Sequence, residues 1–157
     1  MMLGFGKKTL RIAAPLQGRV MDITDVPDPV FREKMLGDGF AVDPSLEATT
    51  VAAPCAGEVL LVAETKHAVA LRANGVELLL HVGLDTAVLG GDGFQALVRA
   101  GDQVVQGQPL LSFDRGILEA KGKSLITVLV LTNAAEAVSR MEKDLAHPST
   151  ALTVTVK

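Results

Sequence analysis

The sequence contains no Trp, no Tyr and a single Cys, and aromatic residues make up only 3% of its 157 residues. The scarcity of aromatic side chains disfavours a base-stacking platform for nucleic acid. One cysteine excludes an intrachain disulfide and favours a reducing cytoplasmic location. The net charge is −3 and no long basic run occurs, which disfavours nucleic acid or an anionic membrane as the main partner. No segment approaches the ~20 apolar residues of a membrane span, so stable membrane insertion is not expected.

Apolar residues nevertheless make up 48% of the chain, so an aliphatic core can form without large aromatic side chains. The opening sequence MMLGFGKKTLR places its apolar residues before its charges and is too short for a secretory signal peptide. We therefore expect a flexible leader over residues 1–11 and a single domain over residues 12–157. The initial Met and the short leader favour a separate chain over a segment of a larger fused protein.

Short runs of β-forming residues recur along the whole chain, separated by Gly, Pro and Asp. This spacing favours an all-β, antiparallel sandwich or barrel over alternating strands and helices. Strands are predicted at 10–14, 18–23, 40–43, 49–53, 57–64, 67–72, 76–82, 110–113, 125–131 and 151–156. Short peripheral helices are predicted at 30–36, 94–100 and 134–143, the last with a capping box of Asn133 and Glu136.

Two short motifs occur twice in the chain. The sequence APLQGRV at 14–20 is matched by APCAGEV at 53–59, and the sequence GDGF occurs at 37–40 and at 91–94. The Gly-Asp-Gly segments lack the spacing of phosphate-binding loops and indicate turns instead. Each Ala-Pro-x-x-Gly segment predicts an extended stretch, a turn and a departing strand. The repeat therefore predicts two similar β-units packed face to face.

Two of the three histidines lie on either side of a predicted hairpin loop with the sequence ANG. A two-residue Asn74-Gly75 loop would send the rings of His67 and His81 to opposite faces of the sheet. A three-residue loop with Gly75 at positive φ would pair His67 directly with His81, with Cβ atoms roughly 4.5–5.5 Å apart. We expect the second register, because it brings both imidazoles and the Thr65 hydroxyl into one site.

A pair of imidazoles is compatible with two kinds of chemistry. Neutral histidines bind Zn²⁺, but a catalytic zinc site requires a third protein ligand. The remaining histidine, His147, lies in a predicted loop before Pro148, and the sequence contains no HExxH motif. Alternatively, one histidine is a nucleophile that holds a covalent group, and the other stabilises that group.

The two histidines stand in the motifs Thr65-Lys66-His67-Ala68 and His81-Val82-Gly83-Leu84-Asp85-Thr86. With these motifs, the chain resembles the glucose-type enzyme IIA proteins of the bacterial phosphoenolpyruvate-dependent sugar phosphotransferase system, from about residue 12 to residue 156. Other matching segments are the Ala-Pro-x-x-Gly opening, Asp25-Val26-Pro27-Asp28, Phe31, Lys34, Gly37-Asp38-Gly39, Ala53-Pro54, Gly75-Val76-Glu77-Leu78, Gly93-Phe94 and Phe113-Asp114.

The resemblance implies an antiparallel β-sandwich of the duplicated hybrid kind and a phosphocarrier function that requires no cofactor. It implies that His81 accepts a phosphoryl group on Nε2 from the phosphocarrier HPr and passes it to a cysteine on the IIB domain of a sugar permease. It further implies that His67 supports the transfer and that Thr65 forms a hydrogen bond within the site. The residues that it implies for partner docking are Asp28, Val30, Phe31, Met35, Leu36, Leu79 and Asp85.

Two alternatives remain open beside the phosphocarrier. The first is a zinc-dependent hydrolase on a similar β-scaffold, with His67 and His81 as metal ligands; a phosphocarrier could also bind adventitious zinc between them. The second is a regulatory module that binds transporters or metabolic enzymes, a role that can coexist with phosphoryl transfer. One departure from the family pattern lies in the site itself, where Lys66 replaces the usual Asn.

Overall fold

A computed structural model of the protein describes residues 8–157, which form thirteen β-strands and three short α-helices. The antiparallel, mostly β architecture confirms the predicted fold class. The helices are α1 (Pro29–Arg32), α2 (Arg115–Ala120) and α3 (Ala134–Ala137). The strands are β1 (Thr9–Ile12), β2 (Gly18–Asp22), β3 (Asp38–Pro44), β4 (Thr50–Ala52), β5 (Gly57–Val62), β6 (Ala68–Ala73), β7 (Val76–Val82), β8 (Phe94–Ala96), β9 (Gln103–Val104), β10 (Pro109–Phe113), β11 (Thr127–Leu131), β12 (Val138–Lys143) and β13 (Leu152–Val156).

The largest sheet has seven strands in the order β2-β3-β11-β7-β6-β5-β9, and two three-stranded sheets have the orders β1-β13-β12 and β4-β10-β8. Successive side chains along a strand point to opposite faces of its sheet. In β7, Leu78, Leu80 and Val82 are fully buried in the main aliphatic core. Leu79 and His81 therefore lie on the other face, part of which is covered by a second, smaller apolar cluster.

The repeated Ala-Pro segments lie side by side and exchange equivalent hydrogen bonds. The Ala13 amide donates to the Pro54 carbonyl at 2.9 Å, and the Ala52 amide donates to the Pro15 carbonyl at 2.8 Å. The donors and the acceptors are both 39 residues apart (52 − 13 and 54 − 15), which is also the spacing of the two motif copies. This reciprocal pair supports the two-unit organisation predicted from the repeat.

The hairpin of β6 and β7 closes through a two-residue turn. Asn74 and Gly75 have φ values of 49° and 81°, the positive pair typical of a type I′ turn. The ladder pairs Ala73 with Val76 and Ala68 with His81. The predicted three-residue loop is therefore wrong by one residue, because the local preference of Asn-Gly for this turn prevails. The positive φ predicted for Gly75 is confirmed.

Two of the three predicted helices contain strands. Residues 94–96 form β8, which pairs with β10, and residues 138–143 form β12, which pairs with β13. Tertiary strand pairing overrides the helix-forming composition of both segments. Asn133 does not cap α3 with its side chain; instead its Oδ1 accepts from the Glu77 amide at 2.8 Å and its Nδ2 donates to the Gly75 carbonyl at 2.9 Å.

The domain begins earlier than predicted. Residues 9–11, expected in a flexible leader, belong to β1 and pair with residues 153–155 of β13. Leu10 and Ile12 point into the main core with exposed fractions of 7% and 0%, and their burial accounts for the order of this segment. Residues 1–7 of the predicted leader lie outside the described residues.

Candidate functional site: two histidines at one end of the large sheet

His81 lies near the end of β7, and one of its ring nitrogens is hydrogen-bonded to the backbone. Its Nδ1 is 2.9 Å from the Gly83 carbonyl oxygen. A carbonyl only accepts hydrogen bonds, so Nδ1 carries the proton and Nε2 is the unprotonated nitrogen with a free lone pair. The carbonyl is available because the chain turns sharply at Gly83, whose φ is 79° and where an added Cβ would lie 2.4 Å from the Thr86 side chain.

His67 meets His81 edge-on, with ring centroids 4.7 Å apart and planes at 84°. In the observed register, regular alternation would put the two rings on opposite faces. His67, however, precedes β6, and Lys66 before it has a left-handed φ of 59°, so the regular strand begins only after His67. The centroid of the His67 ring also lies 6.4 Å from that of Phe94, a residue of the main core. The two imidazoles therefore meet although the predicted pairing is wrong.

Thr65 fixes the orientation of the second imidazole. Its Oγ1 is 2.5 Å from Nδ1 of His67, so this nitrogen is occupied within the protein and Nε2 is left for another partner. If the hydroxyl donates, the ring carries its proton on Nε2 and can donate a hydrogen bond from there. Thr65, His67 and His81, predicted to form one site, are thus brought together by the fold.

The surroundings keep both imidazoles neutral at physiological pH. Burial, followed by repulsion from His67, lowers the pKa of His81 to about 4, against opposing effects of the Gly83 hydrogen bond and the Asp28 carboxylate. Burial also lowers the pKa of His67. A neutral imidazole is the nucleophilic form, so His81 can react at pH 7 without first losing a proton.

The segment that carries α1 covers one side of His81. Phe31, expected on the docking surface, is only 4% exposed, and its ring centroid is 5.0 Å from that of His81. Phe31 therefore packs against the imidazole of His81 from the buried side. Asp28 caps α1, since its Oδ1 accepts from the Val30 amide at 2.9 Å. Val30, Met35 and Leu36 are 40%, 70% and 42% exposed, and their role in docking stays a prediction.

The other side of the site is formed by the residues that follow β7. Asp85 has a left-handed φ of 58° and forms an ion pair with Lys123, Oδ2 to Nζ 3.0 Å. Leu79, two residues before His81, packs partly against the cluster that contains Phe31. Val88, in a short 3₁₀ turn over Ala87–Leu89, is 67% exposed.

No group of three or more His, Cys, Asp and Glu side chains is arranged to hold a metal ion within residues 8–157. Zinc bridging His67 and His81 stays a prediction that would need further ligands from elsewhere. Cys55 is buried, which raises its pKa to about 11 and leaves it a poor nucleophile. Among the same residues, no helix is long and apolar enough to span a membrane.

Comparison with known proteins gives a consistent result. Residues 10–137 match the family model described as the phosphoenolpyruvate-dependent sugar phosphotransferase system, EIIA 1. The glucose-specific EIIA component of the phosphotransferase system from Staphylococcus aureus strain Mu50 is 45% identical over 142 residues, covering 88% of this chain and 84% of that protein. The same component from Staphylococcus epidermidis strain RP62A is 45% identical over 141 residues, covering 86% and 84%.

The structural comparison extends over nearly the whole chain. The glucose permease IIA from Mycoplasma capricolum matches with a TM-score of 0.79 and 31% sequence identity, and the match covers 99% of this chain and 98% of that one. The likeness therefore extends over all three sheets.

Proposed function

Since this chain belongs to the EIIA 1 family of the phosphoenolpyruvate-dependent sugar phosphotransferase system, we propose that it carries the phosphoryl group on Nε2 of His81. The chain is a phosphotransferase component that acts as a phosphocarrier in sugar uptake. The single observation that supports His81 Nε2 as the acceptor is the hydrogen bond from Nδ1 to the Gly83 carbonyl at 2.9 Å. It leaves Nε2 as the only ring nitrogen of His81 with a free lone pair.

The acceptance step is a displacement at phosphorus. The lone pair of His81 Nε2 attacks the phosphorus of phospho-HPr, the phosphorus–nitrogen bond of the donor breaks, and its electron pair returns to the donor imidazole. His81 keeps its proton on Nδ1 throughout, so the Gly83 carbonyl also stabilises the positive charge that develops on the ring. Catalysis of such transfers is mostly positioning and electrostatic stabilisation, and a fixed, neutral imidazole supplies the positioning.

In this proposal His67 acts on the phosphoryl oxygens. With Nδ1 held by Thr65 at 2.5 Å, His67 can present an Nε2–H donor toward a group attached to His81, whose ring is 4.7 Å away. Such a donor stabilises negative charge that spreads over the phosphoryl oxygens in the transition state. Its effect is expected to be largest when the group leaves His81 for the cysteine of a IIB domain.

The surface around His81 fits partners that combine an apolar patch with basic side chains. Val30, Met35 and Leu36 give the apolar contact, and Asp28 and Asp85 give negative charge beside it. Such complementarity mainly steers encounter and orientation. We expect HPr and the IIB domain of a sugar permease to use this surface in turn, on the cytoplasmic side where both act. Regulatory binding of transporters or metabolic enzymes would use the same surface.

The proposed acceptor is tested by incubating the protein with phosphoenolpyruvate, enzyme I and HPr and then measuring acid-labile phosphate. Wild type should be labelled close to one phosphate per chain, and His81→Gln should not be labelled although its circular dichroism is unchanged. His147→Gln is the matched control, because His147 is exposed and its side chain hydrogen-bonds only to Asp144 among the described residues. Normal labelling of His81→Gln would refute the assignment.

Zinc hydrolysis has no comparable support. The family model and the relatives reported above are all described as components of a phosphotransferase system, and none is described as a hydrolase.

A further inference from the structure

The turn that holds His81 in its tautomer rests against the segment that leads into β11. The Gly83 amide donates to the Ile126 carbonyl at 2.9 Å, and the Leu84 amide donates to the Ser124 carbonyl at 3.2 Å. The approach at Gly83 is close, because an added Cβ would lie 2.7 Å from the Ser124 oxygen. The position of the Gly83 carbonyl therefore depends on residues 123–126, which are remote from it in sequence.

A side-chain contact reinforces these backbone bonds. Nζ of Lys123 lies 3.0 Å from Oδ2 of Asp85, and the lysine side chain is only 20% exposed whereas the aspartate side chain is 71% exposed. Asp85 has a left-handed φ of 58°, a conformation that aspartate adopts more readily than most residues other than glycine. The half-buried Lys123 ammonium therefore anchors the exposed carboxylate of this turn residue.

The adjoining residue shows that the turn is a continuous unit. Oγ1 of Thr86 donates to the Val82 carbonyl at 2.6 Å, and Thr86 is fully buried. A shift of Asp85 is thus transmitted through residues 83–86 to the carbonyl that accepts from His81. The proposed acceptance step does not itself require Lys123, whose side chain forms no hydrogen bond or ion pair with either histidine within residues 8–157.

We propose that Lys123 is a positioning residue for phosphoryl transfer: its ion pair with Asp85 holds the 83–86 turn so that the Gly83 carbonyl keeps the proton of His81 on Nδ1. The inference rests on the proposed role of His81 as acceptor. Without the Lys123 ammonium, the turn relaxes and the Nδ1–H tautomer loses part of its free-energy advantage. A larger fraction of His81 then carries its proton on Nε2, the nitrogen that must attack.

The test uses Lys123→Met, with Lys123→Gln as a second charge-free variant should the first not fold. Lys123→Arg keeps the charge and is expected to restore wild-type behaviour. Lys121→Met is the matched control, since Lys121 lies in the same segment, is 50% exposed and pairs with Asp92 at 3.5 Å. For each folded protein, the ¹⁵N chemical shifts of the His81 ring report the tautomer, and rapid-quench labelling by phospho-HPr reports the rate.

An exposed or half-exposed ion pair transmits only a modest effect, so we expect the ratio of Nδ1–H to Nε2–H tautomer to fall about three- to fivefold in the charge-free variants. The rate of phosphorylation should fall in proportion to the remaining Nδ1–H fraction, while Lys123→Arg and Lys121→Met match wild type. An unchanged tautomer ratio in the charge-free variants would overturn the proposal, even with slower transfer, because the effect would then lie in partner docking. Absence of phosphate from wild-type His81 would instead refute the proposed function.

Discussion

The ring of His67 stands nearly perpendicular to that of His81, with the two centroids 4.7 Å apart. Burial lowers the pKa of both rings, and repulsion between two positive charges at this distance adds to the effect at His81. The pair is therefore held neutral, and a phosphoryl acceptor with a free lone pair is available at physiological pH.

Stability should depend on pH through His81. Its pKa is lowered from about 6.5 to about 4 on folding, so between these values the unfolded chain binds more protons than the folded protein. The free energy of unfolding should fall as the pH drops from about 6.5 toward 4, and this contribution should be fully present above that window. Urea titrations across this range should show a shallower dependence for His81→Gln. Equal slopes for the two proteins would contradict the lowered pKa.

The two half-reactions should respond differently to His67→Gln. This variant keeps the nucleophile, so acceptance from phospho-HPr should fall by less than about tenfold. Donation to a IIB cysteine should fall by about 10²-fold or more, the usual effect of removing one donor to developing charge. Single-turnover kinetics of each half-reaction measure both rates. Equal losses in the two directions would argue against this division of labour.

The hairpin turn should be sensitive to the shape of residue 75. Gly75 has a φ of 81°, and an added Cβ would meet no heavy atom within 4 Å, so the cost of a substitution comes from the backbone alone. Gly75→Val should lower the free energy of unfolding by about 1–2 kcal/mol, and Gly75→Asn should cost clearly less because asparagine tolerates positive φ. Urea denaturation gives both values. Equal costs would show that the turn is not of the I′ type.

The strands whose apolar patterns are long were predictable from the sequence. Residues 76–82 form β7 with the predicted bounds, because their burial matches a central strand covered on one face by the main core. The predictions for residues 94–96 and 138–143 were wrong because the short, mixed compositions of these segments suit a helix equally well. Only pairing with β10 and β13 makes them strands.

The sequence predicted that these site residues meet, but the hairpin register from which this was predicted is wrong. Thr65, His67 and His81 were expected together from a register that the Asn74-Gly75 turn excludes. Instead, the left-handed Lys66 leaves His67 outside the regular strand, which begins at Ala68, and the ring of His67 reaches His81. Sequence gives little sign of such a conformation at a lysine. The proposed role of Lys123 also depends on a contact with Asp85 across 38 residues of chain, which no local pattern encodes.

The most direct test is to identify the nitrogen that carries the phosphate. Protein with ¹⁵N-labelled histidine, phosphorylated through phosphoenolpyruvate, enzyme I and HPr, can be examined by ¹⁵N and ³¹P NMR at a pH where phosphohistidine is stable. The hydrogen bond from Nδ1 to Gly83 predicts a single phosphorus coupled to Nε2 of His81, with the Nδ1 proton still present. Phosphate on Nδ1 of His81, or on His67, would contradict the account.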